Sequence, residues 1–233
     1  MHYRFKSPKY ILTFASTIFL ISLPSSNMEL HETTLSSPSN RLAPFNPISS
    51  KAQELALNLL NLNETDILFD LGCGDARLLI SAAESFRTKC FGIECDPIFI
   101  SRAKKVIEEK NLYDLVDLWL GDVMELFQYK DSMGHTTSKS KKKSLTLTDA
   151  TAVFVYLLPD GLKAVKPILE RIIREKREKV TEEENQKKVR FRVVSYMFSI
   201  PGWVPTKIEK TIRTECSVYL YDFATNDPLV GAG

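Results

Sequence analysis

The chain has few cysteines, and they do not have the spacing of a metal site. Its 233 residues include four cysteines, at positions 73, 90, 95 and 216, and no CxxC pair. Small disulfide-stabilised domains have a higher density of cysteines, and structural zinc sites use closely paired ones. The sequence therefore excludes both classes and is typical of a protein from a reducing compartment.

An excess of charge of one sign and long hydrophobic runs are also missing. Lysine and arginine together number 31 and the acidic residues 29, which gives a net charge of +2. This balance gives no reason to expect nucleic acid as the main partner. One apolar stretch, residues 10–23, is shorter than the roughly 20 residues that cross a bilayer. The composition excludes a polytopic membrane protein and indicates a mostly soluble fold.

The first 28 residues differ in composition from the rest. They contain three lysines and arginines, then the apolar stretch, and no acidic residue. This pattern is typical of a mitochondrial presequence and equally of a signal or anchor segment, so residues 1–28 are predicted to be a targeting or membrane-anchor segment. A third interpretation is that translation begins at Met28. Residues 29–48 are rich in Ser, Thr, Pro and Asn and are predicted to be a linker.

Residues 49–233 are predicted to form one α/β domain. Short apolar runs predict strands at Asp66–Leu71, Cys90–Glu94, Val116–Leu120, Ala152–Tyr156 and Phe191–Phe198. Two further runs, Ile208–Arg213 and Ser217–Phe223, have no helix between them and predict an antiparallel pair. The alternation with helices predicts a Rossmann-like, mainly parallel sheet with helices on both faces and this strand pair at the C-terminus.

Helical periodicity fills the gaps between the predicted strands. Helices are predicted to begin at a capping box of Ser50 and Gln53, after Asp75, at Asp96–Pro97, and over Leu162–Lys176 with a bend at Pro167. The inward face of the third predicted helix is formed by Ile100, Ala103 and Ile107.

Two charged stretches interrupt this pattern, near residues 128–148 and 175–188. Each precedes a predicted strand, so both are expected to leave the sheet at the edge opposite the usual ligand crevice. They are predicted to be solvated insertions, with a docking surface for an acidic partner or membrane headgroups as the alternative.

Glycines and acids gather where the predicted parallel strands end. Gly72 and Gly74 follow the first strand and allow the backbone to approach a ligand closely. Glu94 ends the second strand, 22 positions after Gly72, which suits hydrogen bonds to both ribose hydroxyls of a nucleoside. The ends of parallel strands meet at one edge of a sheet, so the sequence predicts a nucleoside-containing cofactor there.

The residues around the glycines exclude the common nucleotide motifs. Arg77 stands where a dinucleotide fingerprint requires its third glycine, and the loop lacks the GK[ST] ending of a P-loop. The carboxylate of Asp70 would repel a pyrophosphate but attract the ammonium and sulfonium groups of S-adenosylmethionine. We therefore predict S-adenosylmethionine as the cofactor.

DLGCGD from Asp70, the acid of GIECDP and the acid of LGDVMEL resemble the motifs of class I methyltransferases. More specifically, the chain resembles the mitochondrial lysine methyltransferases of the ATP synthase c-subunit and the adenine nucleotide translocase, together with their bacterial relatives. The segments that carry this likeness are PFNP at Pro44–Pro47, DLGCGDARLLI at Asp70–Ile80, YLLP at Tyr156–Pro159, RVVSYMFSIPGWVP at Arg192–Pro205 and VYLYD at Val218–Asp222. The likeness spans about Pro44–Phe223, apart from the two insertions.

This resemblance implies N-methylation of a protein lysine in a mitochondrial, membrane-associated setting. The implied partner is a protein with a target lysine, a small membrane protein among the candidates, and not a nucleic acid. The alternative locations are the cytoplasm and another membrane reached through an N-terminal signal anchor. The alternative functions are a small-molecule methyltransferase and a non-catalytic cofactor-binding scaffold.

The resemblance also implies which residues hold each part of the cofactor. Asp70 and the two glycines would hold its methionyl part, Glu94 the ribose, and Asp122 with Val123 the adenine, with a helix cap as the alternative role of Asp122. The full set assigned to the cofactor is Asp70, Gly72, Cys73, Gly74, Glu94, Cys95, Asp122 and Val123. Its two cysteines are expected to pack the loops rather than act as nucleophiles.

The acceptor site is implied by the segments after the fourth and fifth strands. A lysine amine with a pKa near 10.4 must lose a proton before it attacks, at a cost of about 4.6 kcal/mol at pH 7. Tyr156 is predicted to accept or orient that proton, and Asp160 to act as a base or only as a helix cap. Pro159 and Trp203 are assigned to the substrate, with Trp203 expected to line an aromatic channel or to pack in the core.

The sequence departs from the family at one glycine and differs from nucleic-acid methyltransferases at the fourth strand. Ala76 occupies a position where the family has glycine, and we expect it to take ordinary helical angles. YLLP replaces the Asn/Asp-Pro-Pro-aromatic segment that grips the amine of a base, and no basic stretch is interleaved with aromatic residues. Both observations argue against a nucleic-acid base as the acceptor.

Overall fold

The computed structural model describes residues 46–124, 146–178, 190–211 and 216–224. The predicted targeting segment, most of the linker and most of both charged insertions lie outside these residues. The predictions made for them therefore remain predictions.

Seven strands form a single sheet in the described residues. They are β1 Ile67–Leu71, β2 Lys89–Glu94, β3 Val116–Leu120, β4 Ala152–Val155, β5 Arg190–Tyr196, β6 Lys207–Lys210 and β7 Ser217–Ala224, in the order β3-β2-β1-β4-β5-β7-β6. The first five strands run parallel, and β7 lies antiparallel between β5 and β6. The predicted mainly parallel sheet with a C-terminal antiparallel pair is confirmed.

In the described part of the chain, four α-helices cover the two faces of this sheet. They are α1 Ser50–Leu60, α2 Arg77–Phe86, α3 Pro97–Glu109 and α4 Pro159–Glu178. Residues of α1, α2 and α3 pack into one apolar core, and those of α4 pack into a second core on the other face. Within the described ranges, none of the helices has the length and apolar character needed to cross a bilayer.

Local sequence signals predict where most helices and strands lie. The predicted and observed elements differ at their ends. β3 and the Asp96 cap of α3 match the prediction, with Ile100, Ala103 and Ile107 buried. The prediction for α1 was wrong by one residue: Ser49, not Ser50, is the N-cap, and its hydroxyl accepts the Ala52 N–H. The Gln53 side chain donates instead to Ser81 Oγ on α2, 2.6 Å away.

Three further boundaries change what is available to a ligand. α4 begins at Pro159, three positions before the predicted Leu162, because proline suits a first helical position and leaves no amide to satisfy. Pro167 lies inside this helix. β4 ends at Val155 and β5 at Tyr196, so Tyr156 and Phe198 lie in loops rather than in the predicted strands.

A buried ion pair joins β5 to the segment before β1. Arg192 and Asp66 are 2% and 3% exposed, and Arg192 Nη2 lies 2.5 Å from Asp66 Oδ1. Arg192 Nη1 also donates to the backbone carbonyls of Leu60 and Asn61 at the end of α1. This one side chain therefore ties α1, β1 and β5 together at the edge opposite the strand ends that face the predicted site.

Candidate functional site

A cavity opens at the carboxyl ends of the five parallel strands. Its lining comes from the loops after β1 to β5 and from residues 46–48, which precede α1. All eight residues assigned to the cofactor from the sequence lie in this lining: Asp70, Gly72, Cys73, Gly74, Glu94, Cys95, Asp122 and Val123. The structure thus brings together the side chains that were expected to meet because they follow parallel strands.

The glycine loop wraps around the end of the neighbouring strand. Gly72 and Gly74 have φ values of 90° and 53°, a region open to glycine and costly for other residues. The Gly72 and Cys73 N–H groups both donate to the Ile93 carbonyl of β2, at 2.9 Å each. These bonds hold the loop across β2 and leave its surface facing the cavity.

Ala76 departs from the helical angles expected of it. Its φ of 58° and ψ of 19° are left-handed, and its N–H donates to the Cys73 carbonyl at 2.9 Å to close the turn. Asp75 and Arg77 form a two-pronged ion pair across it, at 2.9 Å and 2.5 Å. Burial alone raises the pKa of Asp75, but the hydrogen bonds and charge of Arg77 outweigh it and hold that pKa below its usual value.

Asp70 brings a buried carboxyl to the floor of the cavity. It is 3% exposed, and its backbone pairs with Gly92 and Phe154 on the flanking strands. Burial raises its pKa well above the usual value, and the negative charges of Glu94 and Asp75 raise it further. A cationic ligand above this carboxyl would offset all three effects, as the ammonium or sulfonium of S-adenosylmethionine would.

Glu94 binds backbone on both sides of the cavity rim. Its Oε2 accepts the Gly74 N–H and its Oε1 the Asp96 N–H, each at 2.9 Å. The same carboxylate lines the cavity and is partly exposed. It therefore fixes the glycine loop against the start of α3 while presenting acceptors to a ligand.

The remaining residues assigned to the cofactor take part in local hydrogen bonds and packing. Asp122 Oδ1 accepts the Met124 N–H at 2.8 Å, which orders the loop after β3, and Val123 is buried beside it. Burial raises the pKa of the Cys73 thiol well above normal, with Asp70 and Glu94 adding to the shift. A protonated, buried thiol packs rather than reacts. The Cys95 thiol is exposed and lies 3.4 Å from Glu94 Oε1.

Removing the Glu94 side chain should weaken cofactor binding. We expect Glu94→Ala to cost about 1–3 kcal/mol of binding free energy, because hydrogen bonds to a charged acceptor are lost. Calorimetric titration with S-adenosylmethionine measures this loss, and Glu109→Ala at the exposed end of α3 is the matched control. An unchanged dissociation constant for Glu94→Ala would rule out a role in holding the ribose.

Tyr156 lies in the cavity wall beyond the glycine loop. Its hydroxyl oxygen accepts a hydrogen bond from Asn46 Nδ2 at 3.1 Å, and its ring meets Tyr196 edge to face, with 4.7 Å between centroids. Burial raises the pKa of Tyr156, which outweighs the lowering effect of the Asn46 hydrogen bond. Tyr156 is therefore a neutral phenol near neutral pH, suited to orienting a group rather than removing its proton.

The other predicted acceptor residues lie outside the cavity lining. Pro159 and Asp160 form the exposed start of α4. Of the two places expected for Trp203, the structure shows packing in the core and not an aromatic channel, since this residue is 8% exposed and packs edge to face on Tyr221 and Phe223. Its indole N–H donates to Glu170 of α4 at 3.3 Å.

Other residues complete the wall that Trp203 had been expected to form. Met197 and Phe198 line the cavity after β5, and Asn46 reaches it from the segment before α1. Asn46 lies in the PFNP motif, and Met197 lies in the RVVSYMFSIPGWVP segment. Membership of these motifs was the only sequence signal for either residue.

Comparison with known proteins gives relatives but no matching family model. A protein-lysine N-methyltransferase of Saccharolobus islandicus is 28% identical over 181 residues, which cover 76% of this chain and 92% of the relative. A 23S rRNA (uracil(1939)-C(5))-methyltransferase of Francisella tularensis subsp. novicida is 28% identical over 86 residues, 37% of this chain and 19% of that protein.

A solved structure shares the fold over nearly its whole length. It is an RNA methyltransferase from Salinibacter ruber in complex with S-adenosyl-L-homocysteine, with a TM-score of 0.58 and 27% identity, covering 78% of this chain and 97% of that one. S-adenosyl-L-homocysteine is what S-adenosylmethionine becomes once its methyl group has been transferred. The sheet order, the acid-lined cavity and these relatives lead to one conclusion: the chain has the class I fold and is an S-adenosylmethionine-dependent methyltransferase.

Proposed function

We propose that this methyltransferase modifies the side-chain amine of a protein lysine. The observation that carries the proposal is the similarity to the Saccharolobus protein-lysine N-methyltransferase, which extends over 92% of that relative. A likeness over 76% of a 233-residue chain must include the segment after β4, where an acceptor would meet the cofactor.

The cavity has two chemically different ends, and this supports the proposal. Its acids (Asp70, Asp75, Glu94 and Asp122) lie at the ends of β1 to β3, where the cofactor residues are. The ends of β4 and β5 contribute neutral residues, namely Tyr156, Leu157, Leu158, Met197 and Phe198. An apolar wall favours the neutral form of an amine, which is the form that attacks.

The reaction depends on positioning the acceptor and excluding water more than on strong acid or base groups. S-adenosylmethionine supplies a methyl group already activated by its sulfonium. The neutral Tyr156 hydroxyl would hold the amine by a hydrogen bond, and the flanking apolar residues would exclude water. Asp160 would act only through an intervening water, since it lies at the exposed start of α4.

Radiolabelled methyl transfer tests the acceptor class directly. The full chain is incubated with methyl-labelled S-adenosylmethionine and an extract containing both protein and RNA, and the labelled material is then treated with protease or nuclease. We expect label that protease releases and nuclease leaves, with methyl-lysine after acid hydrolysis.

The same experiment separates the alternatives. Label released by nuclease would show that the methyl acceptor is RNA and not a protein lysine. RNA is the acceptor class named for the Salinibacter structure. Label in neither fraction but in small molecules would move the assignment to a metabolite. Cofactor binding without any transfer would indicate a scaffold.

Tyr156→Phe removes only the hydroxyl and should reduce the transfer rate by about tenfold or more, because orientation of the amine is lost. Its cofactor dissociation constant should stay unchanged. Tyr113→Phe is the matched control, since Tyr113 is 69% exposed and lies outside the cavity lining. Equal transfer rates for the two variants would remove Tyr156 from the mechanism.

We infer that residues 1–28 direct the enzyme to mitochondria and to a membrane there. Support comes from their basic and apolar composition without acids. Residues 1–28 fused to a fluorescent protein should accumulate in mitochondria of a eukaryotic cell. Retention of the fusion in the cytoplasm, or its entry into the secretory route, would overturn this location.

A further inference from the structure

The chain makes a strained turn where β5 ends. Phe198 N–H donates to the Tyr196 carbonyl at 2.9 Å, so Met197 alone occupies the centre of a three-residue γ-turn. Its φ is 70°, which makes this the rare form of the turn and a costly conformation for a residue with a side chain. Such strain persists only where the surrounding structure fixes it.

Three hydrogen bonds fix this turn between β5 and β7. Met197 N–H donates to the Ser217 carbonyl, Ser195 Oγ to the Phe198 carbonyl, and Ile200 N–H to the Tyr221 hydroxyl, each at 2.8 Å. Ser195 is fully buried and Tyr221 is 1% exposed. The turn is therefore held by the folded sheet and not by its own sequence.

The turn sends two consecutive side chains to different sides of the cavity wall. Met197 packs against the core that includes α1, and Phe198 packs against the core that includes α4. Both residues line the cavity at the end of β5, away from the acids at the ends of β1 to β3. This is the end of the cavity left for the acceptor once the cofactor is assigned.

We propose that Met197 is a specificity-determining residue of the acceptor site. The γ-turn holds its thioether, with the Phe198 ring, against the apolar stem of an alkyl amine whose nitrogen reaches the Tyr156 hydroxyl. A flexible, unbranched thioether can adapt its shape to a flexible methylene chain. This inference rests on the proposed function for the nature of the acceptor.

A glycine and an alanine variant measure the strain without an acceptor. At an ordinary position alanine gives the more stable protein. At position 197 we expect Met197→Gly to unfold about 1–4 °C above Met197→Ala, since both lose the side chain and only glycine relieves the positive φ. The control pair is Val204→Gly and Val204→Ala, at a 65% exposed loop residue, where alanine should be the more stable. If alanine is also the more stable at position 197, the strained turn is wrong.

Methyl transfer tests the acceptor role. Met197→Ala and Met197→Gly should lower the initial rate of label transfer by about tenfold at limiting acceptor, with the cofactor dissociation constant unchanged, and Met197→Leu should restore most of the rate. Total label from the protein-and-RNA extract is counted before protease or nuclease is added. Wild-type rates in the alanine and glycine variants overturn the inference even if the product is methyl-lysine. A lowered rate with label in RNA keeps Met197 in the acceptor site and overturns the lysine assignment alone.

Discussion

Arg192→Leu is expected to destabilise the protein by about 3–5 kcal/mol, the cost of removing one partner of a buried ion pair. The change leaves the Asp66 carboxylate, 3% exposed, without its buried cationic partner. It also removes the donor to the Leu60 and Asn61 carbonyls at the end of α1. Urea unfolding followed by circular dichroism measures the loss as a lower midpoint at unchanged slope.

Arg190→Leu is the matched control for this loss. Arg190 lies on the same strand, its side chain is 40% exposed, and its guanidinium is 4.0 Å from Asp66. Exposed ion pairs contribute about 0–1 kcal/mol, so this variant should unfold close to the wild type. Similar midpoints for the two variants would show that the buried pair contributes no more to stability than the exposed one.

The fold was predictable from the sequence wherever the signals were local. Asp96 and Pro97 specify the start of α3 through a side-chain cap and a proline at the first helical position. Val116–Leu120 is a short, mainly apolar run that ends at Gly121, and it is β3. The parallel direction of the first five strands follows from their alternation with helices, which serve as the crossover connections.

What was missed depends on contacts between distant parts of the chain. Trp203 finds its partners at Glu170, 33 positions earlier, and at Tyr221 on the inserted strand β7. Nothing in the residues around Trp203 distinguishes that packing from a place in the cavity. The left-handed Ala76 likewise belongs to a loop held by the Ile93 carbonyl of a neighbouring strand.

The candidate site was predictable because strand ends converge. The acids and glycines at the ends of β1, β2 and β3 line one cavity, as their positions in the alternating pattern required. The residues at the acceptor end of the cavity were harder to predict from the sequence. The reason is that β4 and β5 end earlier than predicted, and the loops after them set which side chains face inward.

Asp70→Asn is expected to have opposite effects on the folded protein and on cofactor binding. Burial first, then the charges of Glu94 and Asp75, raises the pKa of Asp70 above its unfolded value. The folded state therefore binds the proton more tightly, and stability falls as the pH rises from the unfolded pKa near 3.9 through the folded pKa. Asparagine carries no charge, so the cofactor-free variant should be the more stable one at neutral pH by about 1–3 kcal/mol, with the difference vanishing below about pH 4.

Cofactor binding should change in the other direction. Loss of one partner of a buried charge pair costs about 2–5 kcal/mol, so Asp70→Asn should bind S-adenosylmethionine far more weakly. Wild-type affinity should rise with pH until Asp70 is ionised, and binding below that pH should release a proton, seen as a calorimetric enthalpy that depends on the buffer. The variant should lose both features, whereas Asp117→Asn, at an exposed position of β3, should keep them. A variant that is less stable yet binds as tightly as the wild type would mean that Asp70 supports the fold and does not meet the cofactor's charge.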